Sequence, residues 1–368
     1  MIDAPTLAAR AQGRDNNLNL VRVAAALAVL LTHSFALALG SPAAEPLRAA
    51  LGMSLGDIAV DVFFVASGFL VANSLLTNQD ATGFVCARLL RIFPALLVML
   101  ALTVFGLGLA LTTMSAAEYL TSRETWRYLL RGATLIAGVS YTLPGVFEHN
   151  PYPAAVNGSL WTLPHEVRMY ALLLGAWLLV RVIARSAPER PFKRLLVAAT
   201  CCAGVALLAL DIAGRPEGHF LHLFYMFFGG ASARILANRI VLRTHYAALA
   251  ASVLLVCALH PVLFRATYYL VLPYLVLYLA YVPAGAVRYY NRLGDYSYGI
   301  YIFAFPVQQA LLALVPRLSV AGLAAASAVL TLLLAVPSWV LLERPALNLK
   351  ARLARRSRQL WARAIGAA

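Results

Sequence analysis

What most constrains this chain is the recurrence of apolar stretches of about 20 residues, roughly the length a helix needs to cross the hydrocarbon core of a bilayer. They fall at 18–40, 58–77, 89–113, 164–184, 194–212, 219–236, 245–261, 266–284, 294–315 and 319–343. Lipid offers the backbone no hydrogen-bond partners, so each stretch must close its own ladder as a helix. A soluble core does not explain them, because 62% of the 368 residues are hydrophobic and only 12% charged. The expectation is an all-α integral membrane protein, a bundle of about ten transmembrane helices. The seventh and eighth stretches are separated by His260-Pro261 and Arg265, since proline breaks a helix interior and arginine resists burial in hydrocarbon. Without that break nine spans remain.

Lysine and arginine accumulate in short cytoplasmic loops. With the N-terminus inside, all 30 of them fall on the cytoplasmic side except Arg48, Arg123, Arg127, Arg131, Arg168, Arg215, Arg265 and Arg317. Both termini are then cytoplasmic. Topology therefore accounts for the net charge of +15 better than nucleic-acid binding does. Residues 1–349 are expected to form one transmembrane domain with an outer loop at about 114–163. Residues 350–368 form a basic cytoplasmic tail, either solvated or lying on anionic lipid. Cys86, Cys201, Cys202 and Cys257 show no CxxC or alternating Cys/His spacing, so neither a disulfide framework nor a metal site is indicated.

Within the first span, Arg22 and His33 are eleven residues apart, which puts them on one helix face about 16 Å apart along the axis. Between them, Val23 to Thr32 carries no charge, and an ionisable imidazole in such surroundings calls for a partner, a cavity or a reaction. On the expected topology His33 lies past the midplane toward the outside, while Asp61 and Glu166 lie near the outer ends of their helices. These three can share an outward-opening cavity in which a carboxylate orients the imidazole as a general base. On the opposite side, Arg88 and Arg91 share a face, and arginine forks suit phosphate, although positive-inside anchoring explains them equally well. Gly68, seven residues after Asp61, reads either as space for an acyl chain or as close helix packing. His219 and His222 share a face, but without a neighbouring carboxylate set they make a weak metal signal, and packing or acceptor contact is expected of them.

Six elements in order carry a resemblance. They are Asn16 to Arg22 with His33-Ser34, Val60 to Leu70 (VDVFFVASGFL), Arg88 to Pro94 (RLLRIFP), Ser159 to Glu166 (SLWTLPHE), Leu293 to Tyr301 (LGDYSYGIY), and Leu342 to Pro345 (LERP). Together they resemble the membrane-bound acyltransferase-3 family, whose members O-acylate cell-surface polysaccharides, lipopolysaccharide, related glycans and small molecules. Two local departures, Asn19 where an aspartate is frequent and His165 and Arg168 beside Glu166, bear on electrostatics.

The resemblance implies an O-acyltransferase in the plasma membrane, the inner membrane of a bacterium, that takes an acyl group, acetyl above all, from cytoplasmic acyl-CoA. The acceptor it implies is a sugar hydroxyl of an exopolysaccharide, O-antigen or lipid-linked glycan. His33, Asp61 and Glu166 would be catalytic, with His33 either a general base or a covalent acyl relay. Arg22, Arg88, Arg91, Ser67, Gly68 and Tyr298 would bind the donor, and no metal is required. The competing reading is a multi-pass transporter or glycan flippase. That class is often built from two similar halves with paired broken helices, and no such symmetry is visible in the sequence.

Overall fold

The structure, a computed structural model, describes residues 5–13, 15–184 and 187–355, so the expected basic tail lies outside the described residues from 356 onward. Among the described residues the fold is helical, with three isolated bridges and no strand. The principal helices are α1 (Leu18–Leu39), α2 (Leu55–Asn78), α3 (Ala81–Ala101), α4 (Arg123–Thr134), α5 (Thr162–Ile183), α6 (Glu189–Ile212), α7 (His219–Ile235), α8 (Thr244–Cys257), α9 (Pro261–Tyr281), α10 (Ser297–Leu314) and α11 (Val320–Ser338). A π segment, Leu102–Gly108, extends α3, and another, Trp339–Glu343, extends α11.

Every expected apolar stretch coincides with one of these helices. Among the described residues, seven helices are long and apolar enough to cross a membrane: those of α1, α2, α3, α6, α9, α10 and α11 with their extensions. The others differ for visible reasons. Helix α5 carries Glu166, Arg168 and Arg181, while α7 and α8 have 17 and 14 residues. The break expected at His260-Pro261 is present, with His260 in extended backbone and Pro261 at the first position of α9, where its missing N–H costs nothing. Helix α3 begins at Ala81 rather than near residue 89. Arg88 and Arg91 therefore sit about two turns inside a helix instead of at its boundary.

The chain divides into two compact units. The first comprises residues 1–28, 46–77 and 168–295, and the second 29–45, 78–167 and 296–368.

In the first unit, α2 and α7 meet backbone to backbone. A methyl at Gly68 would lie 1.8 Å from the carbonyl oxygen of Phe227, and one at Gly230 would lie 2.0 Å from that of Val65. Small residues permit this approach, and packing replaces the hydrophobic effect as the cohesive term between helices in lipid. The seam corrects the expectation of space for an acyl chain at Gly68, because α7 already fills it. Gly68→Ala should lower the thermal midpoint of the detergent-purified protein, with an overpacking cost of about 1–3 kcal/mol. Gly106→Ala, where an added methyl meets nothing within 4 Å, should leave the midpoint in place.

In the second unit, the buried hydroxyl of Tyr119 donates at 3.0 Å to the carbonyl of Val104 in the π segment after α3. Widened turns of this kind need such a partner, since the regular ladder is interrupted there. Gly299 of α10 packs on α11, where an added methyl would stand 3.0 Å from the Cα of Ala335.

Candidate active site

His33 lies in the part of α1 that belongs to the second unit, and its position is set by neighbours on α10. The fully buried Gln308 donates from Nε2 to Leu30 O at 2.9 Å and to Ser34 Oγ at 2.7 Å. Ser34 in turn donates to Leu30 O at 3.0 Å. This clamp grips α1 at the residue after His33 and about one turn before it, holding that stretch of helix against α10. One turn back on α10, the Phe305 ring meets the imidazole edge-on with centroids 5.0 Å apart.

The segment leading into α5 packs against the same face of α10. Asn157 accepts from Ser159 N at 3.1 Å and donates from Nδ2 to Ile302 O at 2.9 Å, capping the turn Gly158–Trp161. Gly158 lies against Phe305, where a methyl would fall 2.7 Å from the ring. Tyr301 bonds Ser159 O at 2.8 Å and Thr162 Oγ1 at 2.8 Å. Ser159 Oγ is buried with no hydrogen-bond partner among the described residues, an unusual state for a hydroxyl in a packed interior. Trp161 and His165 stack edge to face at 5.9 Å, and Glu166 follows half-buried in α5. Two motifs far apart in sequence, His33-Ser34 and Ser159 to Glu166, thus flank Phe305 and Tyr301 of one helix.

Also in the second unit, Arg91 pairs with Glu343 at 3.3 Å, and the carboxylate is fully buried at the end of the π segment of α11. Ser338 donates to the other oxygen of Glu343 at 3.1 Å. The Arg91 guanidinium lies over the Tyr298 ring, 5.6 Å from its centroid, and Tyr298 donates to Ile92 O at 2.8 Å. Three residues before Arg91, Arg88 is half-buried on the same helix.

In the first unit, Arg22 forms an ion pair with Asp295 and lies over the Phe63 ring. An apolar groove of about 400 Å³ lies between α1 and α2 in the same unit, lined by Leu20, Ala24, Ala28, Ile58, Val62 and Leu279 among others. Ser67 and Tyr170 share a hydrogen bond of 3.1 Å.

Residues 15–343 match the acyltransferase domain of the acyltransferase-3 family. The chain belongs to that family. The acyltransferase is 28% identical over 346 residues to the O-acetyl transferase of Shigella phage Sf6, covering 90% of this chain and 96% of that protein. It is also 28% identical over 375 residues to Nodulation protein 10 of Rhizobium leguminosarum bv. viciae, covering 94% and 96%. No solved structure matches it.

The acyltransferase holds a buried cluster that its sequence did not announce. Asp61, 1% exposed, accepts from His222 Nε2 at 2.8 and 2.9 Å and from the Tyr268 hydroxyl at 2.6 Å. The other ring nitrogen of His222 faces Glu217 Oε1 at 3.1 Å, and Tyr269 donates to Glu217 Oε2 at 2.5 Å. Burial opposes ionisation of Glu217, but the hydrogen bonds from His222 and Tyr269 and the charges of His222 and Arg265 outweigh it and hold the carboxyl below its ordinary range. Carboxylates therefore do flank His222, where the sequence suggested no neighbouring carboxylate set. Asp61 was expected to orient the imidazole of His33; the imidazole it is hydrogen-bonded to is that of His222. Among the described residues no group of His, Cys, Asp or Glu has the arrangement of a metal site.

Proposed function

We propose that the protein is an integral-membrane O-acetyltransferase that moves an acetyl group from cytoplasmic acetyl-CoA to a sugar hydroxyl of an exopolysaccharide, O-antigen or lipid-linked glycan. The observation that carries this reading is the His33 arrangement. An ionisable imidazole stands on a stretch of helix that Gln308 ties to α10, against Phe305 and near the signature segment ending at Glu166. The name of one relative, an O-acetyl transferase, supports acetyl as the group transferred and oxygen as its acceptor.

In the reaction we assign, His33 accepts the proton of the acceptor hydroxyl as its oxygen attacks the thioester carbonyl. The C–S bond breaks as the ester forms, and the proton passes to the departing coenzyme A thiolate. Glu166 is the carboxylate we place on the acceptor side. Arg88 and Arg91 receive the donor's phosphates, Tyr298 supports Arg91, and Arg22 and Ser67 keep the donor role their motifs imply. The charge distribution favours ten spans with both termini in the cytoplasm of a bacterial inner membrane.

Arg88 and Arg91 should behave differently when replaced. Arg88→Ala should raise KM for acetyl-CoA about tenfold or more, the loss of a charge-assisted hydrogen bond to phosphate. Arg91→Ala leaves Glu343 buried and uncompensated, a cost of about 3–5 kcal/mol, so its midpoint should fall. Steady-state kinetics and thermal unfolding of both variants check this, and equal midpoints would remove the structural part of the Arg91 assignment.

The reading itself is tested by incubating the purified protein with labelled acetyl-CoA and surface glycan. Ester-linked label on the glycan supports it, and label on no glycan overturns it.

A further inference from the structure

A second cavity in the second unit, of about 420 Å³, is lined by Thr113, Phe147, Glu148, His149, Asn150 and Arg317 together with apolar residues of α10. Its walls combine a carboxylate, an imidazole, an amide, a guanidinium and a hydroxyl with apolar surface. A sugar ring needs that mixture, since its C–H faces are apolar while its rim offers donors and acceptors in every direction. The volume lies in the range of small-ligand sites and holds about one or two rings.

The cavity is built, not incidental. Phe147, Ala154 and Arg317 adopt left-handed backbone, with φ of +59°, +62° and +69°, a conformation that persists in non-glycine residues only where surrounding bonds impose it. Those bonds are present. Ala154 N donates to Phe147 O at 3.0 Å and Asn150 N to the same oxygen at 3.3 Å. The fully buried Gln309 of α10 donates to Tyr152 O and Ala155 O at 2.9 and 2.7 Å, while its own backbone and side-chain oxygens accept from Asn150 Nδ2 at 2.9 and 2.7 Å. Glu148, His149 and Arg317 are held at the mouth of this frame with their side chains exposed.

Its place relative to His33 is fixed by α10. Phe305, which touches the imidazole, and Leu312, which lines the cavity, are seven residues apart on that helix, or about 10 Å along its axis. A short oligosaccharide spans that distance.

We propose that this cavity is a sugar subsite that grips the acceptor glycan a ring or two away from the hydroxyl acylated at His33. The subsite rests on the glycan reading given above. It makes the enzyme selective for chain length, because a monosaccharide reaches His33 without filling the cavity while a longer acceptor fills both.

The test uses the full-length protein in nanodiscs, labelled acetyl-CoA, and oligosaccharides of one to six residues cut from the surface polysaccharide of the cells that carry it. The wild type should show kcat/KM rising with acceptor length. In Glu148→Ala/Arg317→Gly, whose glycine suits the left-handed backbone at 317, the ratio of kcat/KM between long and single-residue acceptors should fall roughly tenfold, as for loss of one or two polar contacts. If the pair lowers the thermal midpoint, Glu148→Gln at an exposed position repeats the comparison, with a smaller fall expected. A length preference that survives in the variants, or is absent from the wild type, overturns the subsite while glycan acetylation stands. Transfer of label to no glycan by the wild type overturns the glycan reading and the subsite with it.

Discussion

His33→Ala should reduce acetyl transfer by roughly 10²–10⁴-fold, the range over which a positioned general base contributes, while the protein folds and purifies as before. The reason is that the hydrogen bonds holding its stretch of α1 do not use the imidazole. Gln308 bonds Leu30 and Ser34, and Asn157 and Tyr301 hold the opposing segment through Ile302 O, Ser159 O and Thr162. The edge contact with Phe305, worth about 1 kcal/mol, goes with the imidazole. Initial rates with labelled acetyl-CoA, normalised to monodisperse protein, measure the effect. Activity within a few-fold of wild type would remove His33 from the chemistry. Gln308→Leu makes the complementary case: it abolishes the clamp but keeps the imidazole, so a drop in kcat with the midpoint largely preserved would show that direction matters.

The second large effect is expected on stability. Asp61→Ala leaves His222 buried with one of its two carboxylates removed and the Tyr268 hydroxyl without its acceptor. Breaking a buried pair by deleting one partner costs about 3–5 kcal/mol, chiefly through the charge left behind. Replacing both partners, Asp61→Asn with His222→Gln, should cost less than the single change, because no uncompensated charge remains. Unfolding in mixed micelles followed for the wild type, the single variant and the double variant gives the comparison. A single variant within 1 kcal/mol of wild type would mean that the cluster is hydrated and weakly coupled.

The helices were legible because lipid leaves the backbone one choice and composition records it plainly. His33 stood out for a related reason: an ionisable group in an apolar run is conspicuous by its local cost. Pairing was not legible. Periodicity describes a helix face but does not say what packs on it, so Asp295 and Glu343 were visible within their motifs while their arginine partners, 273 and 252 residues away, were not. His222 looked isolated because Glu217 alone is near it in sequence and Asp61 arrives from another helix. Gly68 was ambiguous in principle, since an absent side chain describes a cavity and a close seam equally well. Gln308, a neutral amide with no charge pattern around it, gave no signal, although it ties α1 to α10 next to His33, whereas Asn157-Gly158-Ser159 read as a turn and Asn157 caps one.

The separation of 161 residues between Asp61 and His222 also sets a schedule for biosynthesis. At about 5–20 residues per second, α2 emerges on the order of ten to thirty seconds before the imidazole that completes it. Throughout that interval a carboxylate on an apolar helix, a residue type that insertion penalises by up to about 3 kcal/mol at a helix centre, has no native partner. The nascent helix must then carry its proton, remain near the insertion machinery, or lean on a temporary neighbour until α7 is made. Half-synthesised chains are therefore the form in which this protein is most exposed to quality control, and shortage of an insertion factor should deplete it sooner than a bundle whose polar partners lie on adjacent helices.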